Sequence, residues 1–164
     1  MTDRTTEKSE RLLNLPSESA TVRLGERLAA LSHAGDTIAL SGELGVGKTR
    51  LARAFIGALM EQAEEVPSPT FTLVQTYDTL SGMVWHFDLY RLDHPDQVFE
   101  LGFEEALAEG IALIEWPERL HGLLPRDRLD VALDFDPSAE GARTARLAGY
   151  GNWIQRMAEL PADV

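Results

Sequence analysis

The 164-residue sequence contains no cysteine. That excludes a disulfide framework and any thiolate metal site, and it agrees with a reducing compartment. Nowhere is there an uninterrupted apolar run of about 18 residues, the length a membrane-spanning helix needs, and the polar stretch Met1 to Arg11 has no apolar signal-peptide core. A soluble cytoplasmic protein without membrane contact is expected. Positive charge is scarce: 15 Lys and Arg face 27 Asp and Glu, a formal net charge of −12. A body this acidic repels a phosphate backbone, and no basic run exceeds isolated residues, so autonomous nucleic-acid binding is disfavoured. Internal repeats, low-complexity tracts and an interdomain linker are also missing. The expectation is a flexible tail over residues 1–14 and one domain over 15–164, long enough for a single substantial core.

What is present centres on Thr37 to Arg50, where an apolar run enters a glycine-rich loop ending in Lys48 and Thr49. Gly42 to Thr49 spells G-x-x-x-x-G-K-T, a phosphate-binding loop, and each fixed position has a physical task. Gly42, Gly45 and Gly47 let the backbone take positive φ and approach an anion, so that successive N–H groups converge on phosphate oxygens. A helix beginning near Gly47 adds the positive end of its dipole. Lys48 supplies a compact cation for the β- and γ-phosphates, and the Thr49 hydroxyl can ligate Mg²⁺.

The rest of the chain supplies the flanks this motif requires. Leu24, Leu28 and Leu31 mark an amphipathic helix from Ser19 to a stop at Gly35-Asp36, Thr37 to Leu40 a strand, and Lys48 to Met60 a helix with the stripe Leu51, Phe55, Leu59. Val66-Pro-Ser-Pro69 reads as a loop, because each proline lacks an N–H and pushes its predecessor toward extended geometry. Thr70 to Tyr77 and Met83 to Asp88 read as a hairpin, as do Leu129 to Phe135 and Ala142 to Ala148. Short helices are expected after Asp93-His94-Pro95 and over Phe103 to Glu109, and a closing helix over Gly151 to Leu160. Ile111-Ala-Leu-Ile114 is wholly apolar, the pattern of a strand buried on both faces of a parallel sheet.

A nucleoside triphosphate needs Mg²⁺, and a phosphate-loop protein completes the metal site with an acid at the end of a neighbouring strand. Asp88 and Glu115 both end apolar strands, at the sheet edge where an α/β fold keeps its ligand. Glu115 is a metal ligand or an ordinary strand-exit acid; Asp88 is a site acid or a helix N-cap. His86 faces the same way as Asp88 and is a general base or a satisfied buried histidine. Arg91 reaches a phosphate or pairs with one of the many acids. Ser68, Thr70 and Thr72 place hydroxyls where a segment sensing the γ-phosphate often lies.

Four segments in this order carry a family resemblance: Gly42-Glu-Leu-Gly-Val-Gly-Lys-Thr49, Ser68-Pro-Thr-Phe-Thr-Leu-Val-Gln75, His86-Phe-Asp-Leu-Tyr-Arg-Leu92 and Ile114-Glu-Trp-Pro-Glu118. From about Leu15 to Arg146 the chain resembles the TsaE family (also called YjeE), with no departure at a motif position. The family comprises the bacterial ATPases of the tRNA threonylcarbamoyladenosine machinery. The resemblance implies an ATPase acting with a heterodimer of the threonylcarbamoyl transferase TsaD and its inactive paralogue TsaB, on the adenosine beside the anticodon. It implies that ATP is held by Gly42, Leu44, Gly45, Val46, Gly47, Lys48 and Thr49, that Glu115 joins Thr49 as a Mg²⁺ ligand, and that Asp88 serves hydrolysis with Lys48 and Thr70. Thr21 maps onto a further nucleotide contact, and either Arg143 or Arg146 onto a C-terminal basic one.

The reading is therefore a P-loop α/β three-layer sandwich, with a mainly parallel sheet and added β-hairpins, that binds Mg-ATP and hydrolyses it slowly alone. The tRNA is met only indirectly, through partners. A small-molecule kinase of the same fold is the alternative, weakened because Arg126, Arg128, Arg143 and Arg146 are scattered and no lid-length insertion carries several arginines. A nucleotide-gated binding module without turnover is a third. No N-K-x-D guanine-reading tetrapeptide is present.

Overall fold

The apolar run ahead of the phosphate loop becomes a strand at the centre of a seven-stranded sheet. The computed structural model describes residues 7–61 and 72–164. Its strands are β1 (Lys8–Leu15), β2 (Thr37–Ser41), β3 (Val74–Thr79), β4 (Gly82–Asp88), β5 (Ile111–Glu115), β6 (Leu129–Phe135) and β7 (Arg143–Tyr150), ordered β1-β7-β6-β2-β5-β4-β3. β6, β2, β5 and β4 run parallel; β7, β1 and β3 are added antiparallel at the margins. Both expected hairpins form, as β3-β4 and β6-β7, but the strand expected over residues 70–77 starts only at Val74 among the described residues, because Leu73 takes a left-handed backbone (φ +65°), and it runs on to Thr79. The Val66 to Pro69 loop, Ser68 and Thr70 lie outside the described residues.

The helices are α1 (Glu18–Leu31), α2 (Lys48–Leu59), α3 (Phe103–Glu109) and α4 (Trp153–Arg156), with 3-10 turns over Pro95–Leu101, Pro117–Leu120 and Met157–Glu159. They cover the sheet on two sides, and β5 shows why its sequence is continuously apolar. Ile111 and Leu113 pack in one core with Leu24, Leu28, Leu51 and Phe55 from α1 and α2. Ala112 and Ile114 face a second core with Phe87, Val98, Phe103 and Leu120. An α/β three-layer sandwich is the result. None of the described helices is long and apolar enough to cross a membrane.

Two expectations are corrected. Residues 8–14 are no tail, because β1 pairs along its whole length with β7. Its pattern escaped notice because the inward position Arg11 carries a charge where alternation asks for a hydrophobe. The guanidinium donates to the carbonyls of Met157 (3.1 Å) and Leu160 (2.5 Å), so its inward placement is satisfied by the end of the C-terminal segment. The closing helix over 151–160 is in fact α4 followed by a 3-10 turn. Leu160 precedes Pro161 and is extended (φ −72°, ψ 132°), the geometry that proline imposes on its predecessor.

α1 holds α2 in place at one close approach, where a Cβ built on Gly25 would sit 2.6 Å from the Leu51 carbonyl oxygen. Gly25→Ala should therefore destabilise the fold by about 1–3 kcal/mol through overpacking, outweighing the gain of about 1 kcal/mol in helix propensity. Urea unfolding checks this. A more stable variant would mean that the two helices have room to part.

Candidate nucleotide site

The loop after β2 is fixed against β6 at its first glycine. Gly42 has φ +139°, and a Cβ there would lie 2.5 Å from the Leu133 carbonyl oxygen, so no larger residue fits. At the other end Gly47 caps α2 with φ +121° and contributes no side-chain hydrogen bond. Among the described residues no side chain caps the first-turn N–H groups of α2, and together with the dipole they are suited to an anion. They border a cleft of about 300 Å³ at the carboxyl edge of the sheet, which gathers Lys48, Thr49, Asp88, Tyr90, Glu115 and Trp116.

Lys48 is the charged centre of this cleft and is only 4% exposed. Its Nζ donates to the carbonyls of Gly42 and of Glu43 (3.0 Å for the latter) and lies 3.9 Å from the centroid of the Trp116 indole. Burial holds its ammonium below the usual 10.5, while Glu115, Glu118 and Asp88 pull the other way. Desolvation wins, so neighbouring acids undercompensate the cation. A phosphate would complete that compensation. Trp116 reaches this position through a left-handed backbone (φ +60°) at the exit of β5 and packs on Tyr90 at 4.8 Å between centroids.

The two strand-end acids are neighbours, since Asp88 and Glu115 are register partners of parallel β4 and β5. Glu115 is 2% exposed, and both its oxygens are engaged. Thr49 Oγ1 donates to Oε1 at 2.7 Å, and His86 Nε2 lies 2.7 Å from Oε2. Asp88 is 5% exposed and accepts the Tyr90 N–H at 3.2 Å, so it caps the exit of β4 as well as lining the cleft. The donor set suits Mg²⁺. A hydroxyl and a carboxylate stand together beside an anion site, and the described residues hold no cluster of three or more His, Cys, Asp or Glu that would build an all-protein cage. Mg²⁺ typically takes one or two carboxylates and completes its shell with phosphates and water.

Thr21 and Arg143 border a second, smaller cavity, with Val46 and with Gly45, Gly47 and Arg50, which it shares with the first. Arg143 Nε donates to the Val46 carbonyl at 2.8 Å, and its guanidinium lies 4.5 Å from the Phe135 ring centroid. Arg146 is exposed on the other face of β7, aligned with Leu12 and Ala132. Of the two arginines that the sequence left open, Arg143 is the one beside the loop. Leu44 is 70% exposed at the loop tip. Thr70 lies outside the described residues. The sequence reading had not set Trp116 against Lys48, nor placed Arg50 and Arg53 on the cleft. Their i, i+3 spacing on the phosphate-loop helix was the available signal for the two arginines.

Residues 15–145 match the protein-family model described as "Threonylcarbamoyl adenosine biosynthesis protein TsaE". A tRNA threonylcarbamoyladenosine biosynthesis protein TsaE of Rickettsia felis is 41% identical over 123 residues, 75% of this chain and 72% of the relative. The protein of that name from Haemophilus influenzae is 35% identical over 146 residues, 85% of this chain and 92% of the relative. Among solved structures, Bacillus subtilis YdiB superposes with a TM-score of 0.70 at 23% identity, covering 93% of this chain and 94% of that one, a likeness of fold.

The geometry separates the two arginines by experiment. Arg143→Ala removes a charged hydrogen bond to the loop, of a kind that contributes about 1.5–3 kcal/mol, and should weaken nucleotide binding about tenfold or more. Arg146→Ala should leave it unchanged. Calorimetric titration of both variants checks this, and equal losses would contradict it.

Proposed function

Since the chain belongs to the TsaE family, we propose that it is a Mg²⁺-dependent ATPase serving the formation of threonylcarbamoyladenosine in tRNA. One observation carries the reading: the hydroxyl of the phosphate-loop Thr49 is hydrogen-bonded to the strand-end acid Glu115, beside a buried lysine and a helix N-terminus whose cap residue is a glycine without a side chain to offer. That is the arrangement in which a loop and an acid share one cation.

In this reading the first-turn N–H groups of α2 and the Lys48 ammonium bind the β- and γ-phosphates. Lys48 exchanges the Gly42 and Glu43 carbonyls for phosphate oxygens. Thr49 and Glu115 hold Mg²⁺, which neutralises charge developing on the phosphates. Asp88, at the neighbouring strand end, orients the attacking water. Thr21 and Arg143 flank the loop on the side of the nucleoside. Thr70, from the family resemblance alone, is assigned to hydrolysis with Lys48 and Asp88. The small-molecule kinase has no observation in its favour, and product analysis distinguishes it, because an ATPase releases free phosphate without an acceptor.

The partners follow from charge. With a net −12 the isolated chain has little to offer a tRNA backbone, so the tRNA is held by the transferase TsaD and its paralogue TsaB. Their contact supplies or orders groups that raise turnover, as partner contacts do in other phosphate-loop proteins. Adding the heterodimer should increase phosphate release while tRNA alone leaves it unchanged. Turnover indifferent to the heterodimer, or tight salt-sensitive tRNA binding by the isolated chain, would contradict this.

The site assignments have their own test. Lys48→Ala should weaken ATP binding by about 2–4 kcal/mol, the range for an electrostatic phosphate contact in such a site. Asp88→Asn should keep ATP binding and lose phosphate release. Affinity unchanged in the first, or turnover unchanged in the second, would sink the corresponding role.

A further inference from the structure

His86 is fully buried in β4, yet neither the phosphate loop nor the hydrolysis chemistry proposed above requires a histidine. Among the described residues its ring is held at one nitrogen only: Nε2 lies 2.7 Å from Glu115 Oε2, whereas Nδ1 is buried with no hydrogen-bond partner among them. A carboxylate accepts and does not donate, so the proton of the contact sits on Nε2. Leaving Nδ1 unsatisfied is a cost, and the single contact made in return is to the acid of the cation site.

We propose that His86 is a positioning residue for the metal site: its Nε2–H fixes Glu115 Oε2, so that Oε1 stays turned to the Thr49 hydroxyl and the cation. The inference rests on the reading of Glu115 as a Mg²⁺ ligand. Glutamate has one more rotatable bond than aspartate, and at the end of a strand its carboxylate swings unless both ends are held. Here Thr49 holds Oε1 at 2.7 Å and His86 holds Oε2 at the same distance. The parallel ladder makes this reach constant. His86 is the register partner of Leu113, two residues before the Asp88 and Glu115 pair, and all three polar side chains project to the face that carries α2. A hydrogen-bonding partner behind a metal ligand raises its basicity and fixes its orientation, and losing such a partner commonly weakens metal binding 10–100-fold.

The test measures ATP affinity of the full chain with Mg²⁺ and with EDTA, and Mn²⁺ affinity by electron paramagnetic resonance in the presence of a non-hydrolysable ATP analogue. His86→Leu removes the donor. It should lower Mn²⁺ affinity and the Mg²⁺-linked part of ATP affinity by about 10–100-fold while leaving affinity in EDTA unchanged. His86→Gln, whose amide reaches about as far as Nε2, should recover most of the loss. His86→Asn, one methylene shorter, should not, and it replaces the leucine variant if that fails to fold. Retention of the metal-linked part in His86→Leu or His86→Asn, an equal loss in EDTA, or no recovery in His86→Gln would overturn the positioning role. Glu115→Gln separates the two readings. If it keeps the metal-linked part, the metal assignment itself has failed. If it loses that part while His86→Leu does not, only the inference about His86 falls.

Discussion

A buried ammonium sits at the centre of the cleft at the carboxyl edge of the sheet. Lys48 Nζ is held by two carbonyls of its own loop and by the face of Trp116, with Glu115, Glu118 and Asp88 close enough to act on it but unable to offset its desolvation. An undercompensated cation at a helix N-terminus attracts an anion more strongly than either feature does alone. The supporting structure serves to keep it there. Gly42 packs against the Leu133 carbonyl, Arg143 ties down the Val46 carbonyl, and Gly25 lets α1 close on α2. Each contact is made by backbone or to backbone, so the loop is specified by shape more than by side-chain chemistry.

The sheet brings the acids to that cation. Leu40 of β2, Glu115 of β5 and Asp88 of β4 are aligned across three adjacent parallel strands, all ending at the same edge. Parallel register is what makes the ends coincide, and it explains why an α/β fold collects its ligand groups at the carboxyl side. The antiparallel margins have another part. β7 carries Arg143 back to the phosphate loop, and β1 completes the sheet beyond it. Trp116, in its left-handed conformation, turns the chain out of β5 so that the indole covers Lys48 instead of continuing the strand.

Much of this was legible in the sequence, for physical reasons that can be named. The glycine spacing from Gly42 to Gly47 admits few backbones, and Ile111 to Ile114 had to be buried on both faces because it offers no polar side. Asp88 and Glu115 announced themselves by ending apolar runs. β1 was hidden because Arg11 occupies an inward position and finds its partners some 146 and 149 residues away, at Met157 and Leu160. The choice between Arg143 and Arg146 depended on which face of β7 meets the loop, a matter of pairing that no local pattern encodes. His86 was visible as a buried histidine facing the site, but its contact with Glu115 depends on the β4-β5 register. The place of Trp116 over Lys48 depends on a backbone conformation unusual for tryptophan.

The central claim is that the undercompensated Lys48 and the Thr49-Glu115 pair form one triphosphate and cation site. The most direct measurement is a crystal structure with Mn²⁺ and a non-hydrolysable ATP analogue, using the anomalous signal to locate the metal. The account predicts β- and γ-phosphates on the first turn of α2, Lys48 Nζ moved from the Gly42 and Glu43 carbonyls onto phosphate oxygens, and the metal peak beside Thr49 Oγ1 and Glu115. A nucleotide bound away from this loop, or a metal peak distant from Glu115 with Lys48 still on its carbonyls, would contradict it.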